Sequence, residues 1–169
     1  MRNGISMRKY KMFLEGVLCF FLSAAALAAE QNVTKIITCS LPGEGGKGEG
    51  GKEASFFIDN ITKGINYGFK RNGKTELKVV FNEGNKLRRT KDSKMGVTYY
   101  GFKRGEYSYV IDVIEGSEKM NTQCRLISKK NGKIIQSSDC LPNSFRSDSI
   151  INDYIVDIPY VNEERFNFP

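Results

Sequence analysis

The sequence contains no histidine and no tryptophan. The missing histidine removes Ser-His and Cys-His activation of a nucleophile, most zinc and copper sites, and the usual side chain that titrates near neutral pH. An enzyme built on this chain would have to work with carboxylates, Lys or Tyr, and no carboxylate pair stands out by spacing as a glycosidase pair. Long hydrophobic runs are missing as well. The apolar run Val17–Leu22 follows Glu15 and is far shorter than the ~20 apolar residues that a bilayer span needs. These absences lead to the expectation of a protein that is not an enzyme, has no cofactor, binds no metal and has no transmembrane segment in its working form.

The amino-terminal residues carry a different signal. Arg2, Arg8, Lys9 and Lys11 make a basic segment, with Met7 and Met12 as further candidate starts. The apolar run comes next, then small residues, and Ala26-Leu27-Ala28 fits small-x-small cleavage. Residues 1–28 therefore read as a cleavable signal peptide. Cys19 sits inside the apolar run behind the bulky Leu18, unlike a lipoprotein cysteine, and is read as removed with the signal.

Removing 28 of 169 residues leaves 141, enough for a single domain over 29–169 with its own core. The segment also takes with it four of the 26 basic and one of the 19 acidic residues, so the net charge falls from +7 to +4 (22 against 18). That balance gives solubility and mild attraction to anions, and it does not point to nucleic acid. Three cysteines remain: Cys39, Cys124 and Cys140. In an oxidising compartment they imply one disulfide and one spare thiol. Cys39–Cys140 is the favoured pair, tying the first strand to the last hairpin, with Cys124 as the alternative partner.

Short β-branched and aromatic runs separated by Gly and Asn turns predict a mainly β domain. The expected fold is an antiparallel β-meander of about seven to nine strands forming a small barrel or sandwich. Residues 149–156 read as either a short helix or a strand, and Phe166–Pro169 as a frayed or draped end. Residues 42–52 hold too many glycines and charges to pack, and predict a flexible loop. They lead into the strand-like Ala54–Ile58, not into the helix N-terminus that a phosphate cradle requires.

Face matching predicts hairpin registers. A three-residue loop Arg71–Gly73 would pair Phe69 with Thr75 and Tyr67 with Leu77. A turn at Arg104-Gly105 would pair Phe102 with Tyr107 and Tyr100 with Tyr109. A loop at Lys130–Gly132 would pair Ile127 with Ile135 and leave Cys124 diagonal to Cys140.

Tyr67-Gly68-Phe69-Lys70-Arg71 recurs as Tyr100-Gly101-Phe102-Lys103-Arg104. Two readings follow. The aromatic pairs with Lys70, Arg71, Lys103 and Arg104 are either a duplicated ligand surface for a sugar or anion, or two equivalent hairpins whose aromatics fill the core. The densest basic run, Lys86–Lys91 with Arg88 and Arg89, is either a charged edge or a footprint for an acidic partner, and Asp148, Asp153, Asp157, Glu163 and Glu164 give the tail the opposite sign.

The combined expectation is an exported, periplasmic or secreted binding protein, a monomer or small homo-oligomer. Its partner would be another envelope protein, an enzyme or toxin that it inhibits or neutralises as an immunity protein does. The alternatives are a glycan or small-anion module using Tyr67, Lys70, Arg71, Tyr100, Lys103 and Arg104, with Arg88 and Arg89 as further contacts, and a structural envelope subunit.

Overall fold

The computed structural model describes residues 32–43, 51–114, 123–142, 144–147, 150–160 and 168. The chain divides into Met1–Val33 and a domain Thr34–Pro169. The predicted signal segment and the glycine-rich residues 44–50 lie outside the described residues.

Among the described residues eleven strands run in order: β1 (Val33–Leu41), β2 (Lys52–Asp59), β3 (Ile65–Arg71), β4 (Lys74–Val80), β5 (Leu87–Asp92), β6 (Val97–Arg104), β7 (Tyr107–Ile114), β8 (Cys124–Lys130), β9 (Lys133–Asp139), β10 (Phe145–Arg146) and β11 (Ile155–Asp157). They form two sheets, ordered β10-β1-β2-β3-β4 and β11-β5-β6-β7-β8-β9. The result is sandwich-like and not closed into a barrel. The count exceeds the expected seven to nine because β10 and β11 are pieces of two and three residues, too short to show as a pattern. No helix occurs among the described residues, and the 149–156 segment ends in a strand. That strand, β11, runs parallel to β5, with Ile155 opposite Leu87 and Asp157 opposite Arg89.

Period-two alternation builds the core. Cys39, Phe56, Ile65 and Tyr67 from one sheet meet Leu87, Phe102, Ile111, Val113 and Leu126 from the other, each under 3 % exposed. The Tyr67 and Phe102 rings approach edge-on at 4.8 Å between centroids, and Phe102 stacks on Tyr109 at 5.2 Å. The two copies of the repeated pentapeptide thus face each other across the core. Gly68 stands on the opposite, outer face of β3, where a Cβ would meet the Phe57 ring at 3.3 Å. On the outer face of the second sheet, Phe168 covers Val110 and Ile127, so β7 is buried on both sides.

All three hairpin registers differ from the sequence expectation, and two differ for the same reason. Asn72-Gly73 and Asn131-Gly132 all have positive φ (50°, 75°, 49° and 77°), the signature of a two-residue type I′ turn. The two-residue register alone would set Phe69 against Glu76. A β-bulge corrects it: Lys70 faces Thr75 and Phe69 faces Leu77, so that Glu76 is the extra residue. The third hairpin repeats the device, with Lys129 facing Ile134 and Ser128 facing Gln136, which makes Ile135 the extra residue. In the second hairpin the turn is Gly105-Glu106, one residue later than expected, and Phe102 pairs with Tyr109 and Tyr100 with Ile111. The aromatic face survives because the shift is two residues, an even number.

Cys39 and Cys140 are joined as a disulfide with Cα atoms 5.0 Å apart, as the sequence favoured. The chain crosses here from β9 to the first sheet: Leu141 N–H donates to Ser40 O at 2.7 Å, and Ser40 N–H donates to Ser144 Oγ at 3.0 Å.

Candidate functional sites at the two open sides of the sandwich

The strand orders leave the sandwich two open sides, one between the border strands β4 and β9 and one between β10 and β11. Each side holds a depression, and each receives one tyrosine from the repeated pentapeptide.

The first is a cleft of about 340 Å³. Its walls are Tyr67 and Phe69 of β3, Leu77 of β4, Tyr107 and Tyr109 of β7, and Leu126 of β8. Its lips come from the two bulges. Glu76 stands on the β4 side and holds Arg71 at 3.2 Å, while Ile135 on the β9 side is 57 % exposed. A bulge re-aims its extra side chain, and here both extra residues reach the same opening. Tyr107 is partly exposed, with the Lys130 ammonium 5.4 Å from its ring centroid. Tyr67 is almost wholly buried, and its hydroxyl has no hydrogen-bond partner. Burial, with Tyr109 nearby, pushes the Tyr67 phenol far above its ordinary value, so it stays protonated.

The second is a wider groove of about 780 Å³. Arg89 crosses it, its Nε and Nη2 donating to both Asp157 oxygens at 2.6 and 2.8 Å, and its Nη1 donating to Ile150 O at 2.9 Å. The Arg89 hydrogen bond holds the Asp157 carboxyl below the usual carboxylate range. One acidic residue of the tail thus neutralises one residue of the basic run. Tyr100 and Tyr160 also line the groove. So does Arg146, which has no ion-pair partner among the described residues.

The predicted site residues are therefore divided. Tyr67 and Arg71 lie at the cleft, and Arg89 and Tyr100 at the groove. Lys70, Arg88, Lys103 and Arg104 line neither, and the last three are exposed. Tyr67 and Tyr100 are 1 % and 6 % exposed, so both are core side chains that offer little surface for a sugar to stack on. Sequence reasoning missed Tyr107, Glu76, Ile135 and Arg146. For Glu76 and Ile135 a signal existed in the near-copies Arg71-Asn72-Gly73-Lys74 and Lys130-Asn131-Gly132-Lys133, each an Asn-Gly turn whose two-residue register leaves a face mismatch that a bulge repairs.

Among the described residues the sole cluster of three groups able to ligate a metal is Cys39, Cys124 and Cys140, two of which are joined. Compared with protein-family models, curated proteins and solved structures, the chain matches none.

Proposed function

We propose that this is an exported binding protein that neutralises an envelope-targeting enzyme or toxin by protein–protein contact, and that the β4/β9 cleft is its contact site. The observation that carries this reading is the cleft's composition. An aromatic interior opens between two border strands, a paired Arg71–Glu76 sits on one lip, and the exposed Ile135 sits on the other. Aromatic and Arg anchors around a pocket that shuts out water are what concentrate binding energy in protein interfaces. Ile134 and Ile135 are 62 % and 57 % exposed on a border strand, where an unpaired backbone edge invites a partner. The disulfide supports an oxidising compartment, and the amino-terminal signal pattern supports export.

The test is capture from envelope extracts at physiological salt, comparing the wild type with Ile135→Asp. The expected result is one dominant envelope protein retained by the wild type, with affinity at least tenfold weaker for the variant at unchanged melting temperature. Capture of nothing, or equal capture by both, would sink the proposal.

A second reading, a small-anion or anionic-glycan module, is favoured by Arg146 at the β10/β11 groove. Its expected outcome is that Arg146→Ala weakens binding of an anionic oligosaccharide without lowering the melting temperature.

A further inference from the structure

Cys124 is a free thiol at the start of β8, 7 % exposed. Its sulfur and those of Cys39 and Cys140 lie within 4.8 Å of one another. The backbone accounts for this. Past the bulge, the β8–β9 ladder pairs Arg125 with Asp139, and the next rung is Cys140 N–H donating to Cys124 O at 2.8 Å. Cys124 and Cys140 are cross-strand neighbours, a relation that brings Cβ atoms to ~4.5–5.5 Å, close to disulfide reach. Cys39 comes to the same point from the other sheet. Cys140 thus has two cysteine neighbours and is bonded to one of them.

We propose that Cys39, Cys124 and Cys140 form a thiol–disulfide exchange centre, in which Cys124 takes Cys140 from Cys39 and so releases the clamp between the two sheets. The step balances internally. The Cys124 thiol loses its proton, and its sulfur attacks Cys140 Sγ. A Cys124–Cys140 bond forms as the Cys39–Cys140 bond breaks, the electron pair leaves on Cys39, and Cys39 takes up a proton. One disulfide and one thiol stand on each side, so no external oxidant or reductant is consumed.

The two isomers differ mechanically. Cys39–Cys140 links strands of different sheets across a separation of 101 residues. Cys124–Cys140 closes only a hairpin and leaves β1 held by hydrogen bonds to its neighbours β10 and β2. Burial pushes the Cys124 thiol up to about 11; the Ser144 hydrogen bond works against that, and Asp112 on β7, itself paired with Arg125, adds to it. Only the thiolate attacks, so exchange is slow at neutral pH and speeds up about tenfold per pH unit below that value. The centre does not depend on which partner or ligand the domain binds.

The experiment uses the oxidised full chain carrying Cys19→Ser, without added thiol or oxidant, incubated at pH 7 to 9.5, quenched in acid, alkylated and mapped by mass spectrometry. The expected result is label that begins on Cys124 and appears also on Cys39, at a rate that rises with pH and does not change with protein concentration. In Cys124→Ser no label appears on Cys39. Label confined to Cys124 at every pH overturns the proposal. So does label on Cys39 in Cys124→Ser, because the disulfide is then opened by something other than Cys124.

Discussion

Cys140 donates its backbone N–H to Cys124 across the β8–β9 ladder, yet its sulfur is bonded to Cys39, in the other sheet. The hydrogen bond continues a hairpin. The disulfide joins points 101 residues apart, and in the chain-entropy account a loop of that length is worth about 4–5 kcal/mol through the unfolded state. Reduction of the wild type should therefore lower the urea-unfolding free energy by about that amount. Equal stability of the oxidised and reduced protein would show that the clamp constrains nothing.

Asp112 presents a different kind of dependence. One carboxylate oxygen accepts from Arg125 Nε and Nη2 at 3.1 and 2.8 Å, while the other is buried with no partner. Removing the Arg125 side chain leaves a buried carboxylate without its counter-charge and without the two guanidinium donors. Arg125→Ala should cost about 1.5–3 kcal/mol, the usual loss for a hydrogen bond to a charged group. Asp112→Asn/Arg125→Ala should recover part of the loss, since the uncompensated charge is then gone. Unfolding curves of the wild type and the two variants check this.

Acid should act on the fold through two signs. Hydrogen bonds from the Thr62 and Ile61 N–H groups hold Asp59 low, and Arg89 does the same for Asp157. A depressed folded pKa contributes stability that is complete above the unfolded value of about 3.9 and is lost as pH falls through the folded value. Burial raises Asp112, so its contribution is greatest below about 3.9 and is lost as pH rises to its folded value. The difference in stability between wild type and Asp157→Asn should shrink as pH falls from 5 to 3. For Asp112→Asn the pH trend should run the other way. Parallel curves for wild type and Asp157→Asn would remove the Arg89 pair from the account.

The Asn-Gly turns carry the registers. Gly132 has φ of 77°, and a Cβ there would meet nothing within 4 Å. Gly132→Ala is thus strained by the backbone alone, not by crowding, and should cost about 1–2 kcal/mol. Gly73→Ala, at 75° in equally open space, should cost the same. Urea unfolding measures both, and unequal losses would mean that the two hairpins are not equivalent.

Much of this fold was legible in the sequence because period-two alternation survives any even shift. The Phe102–Tyr109 face, the mainly β class and the Cys39–Cys140 pair could be read without the correct registers. The registers themselves were not legible. A bulge such as that at Glu76 adds a residue at no visible cost in composition, and an Asn-Gly turn with a bulge preserves the same apolar face as the three-residue loop it replaces. β10 and β11 were hidden because two or three residues have no period. The cleft was hidden for a further reason: Ile135 and Tyr107 belong to separate hairpins, and only the packing of one sheet on the other brings them together with Arg71.

Tyr67 shows how the core and the cleft make competing demands. Its ring packs on Phe56 at 5.2 Å and Phe102 at 4.8 Å, as any core aromatic would, but its hydroxyl is buried without a partner. An unpaired buried hydroxyl costs about 1–3 kcal/mol of lost hydration. Tyr67→Phe keeps the ring and removes the penalty, so it should stabilise the domain by about 1–2 kcal/mol, against the usual direction for a core substitution. Tyr100→Phe offers the contrast, because the Tyr100 hydroxyl is engaged with Arg89. That change should destabilise by about 1 kcal/mol. Paired thermal and urea melts of the two variants decide the matter. If Tyr67→Phe also destabilises, the Tyr67 hydroxyl has a partner in solution, and the cleft beside it is the place to look for that partner.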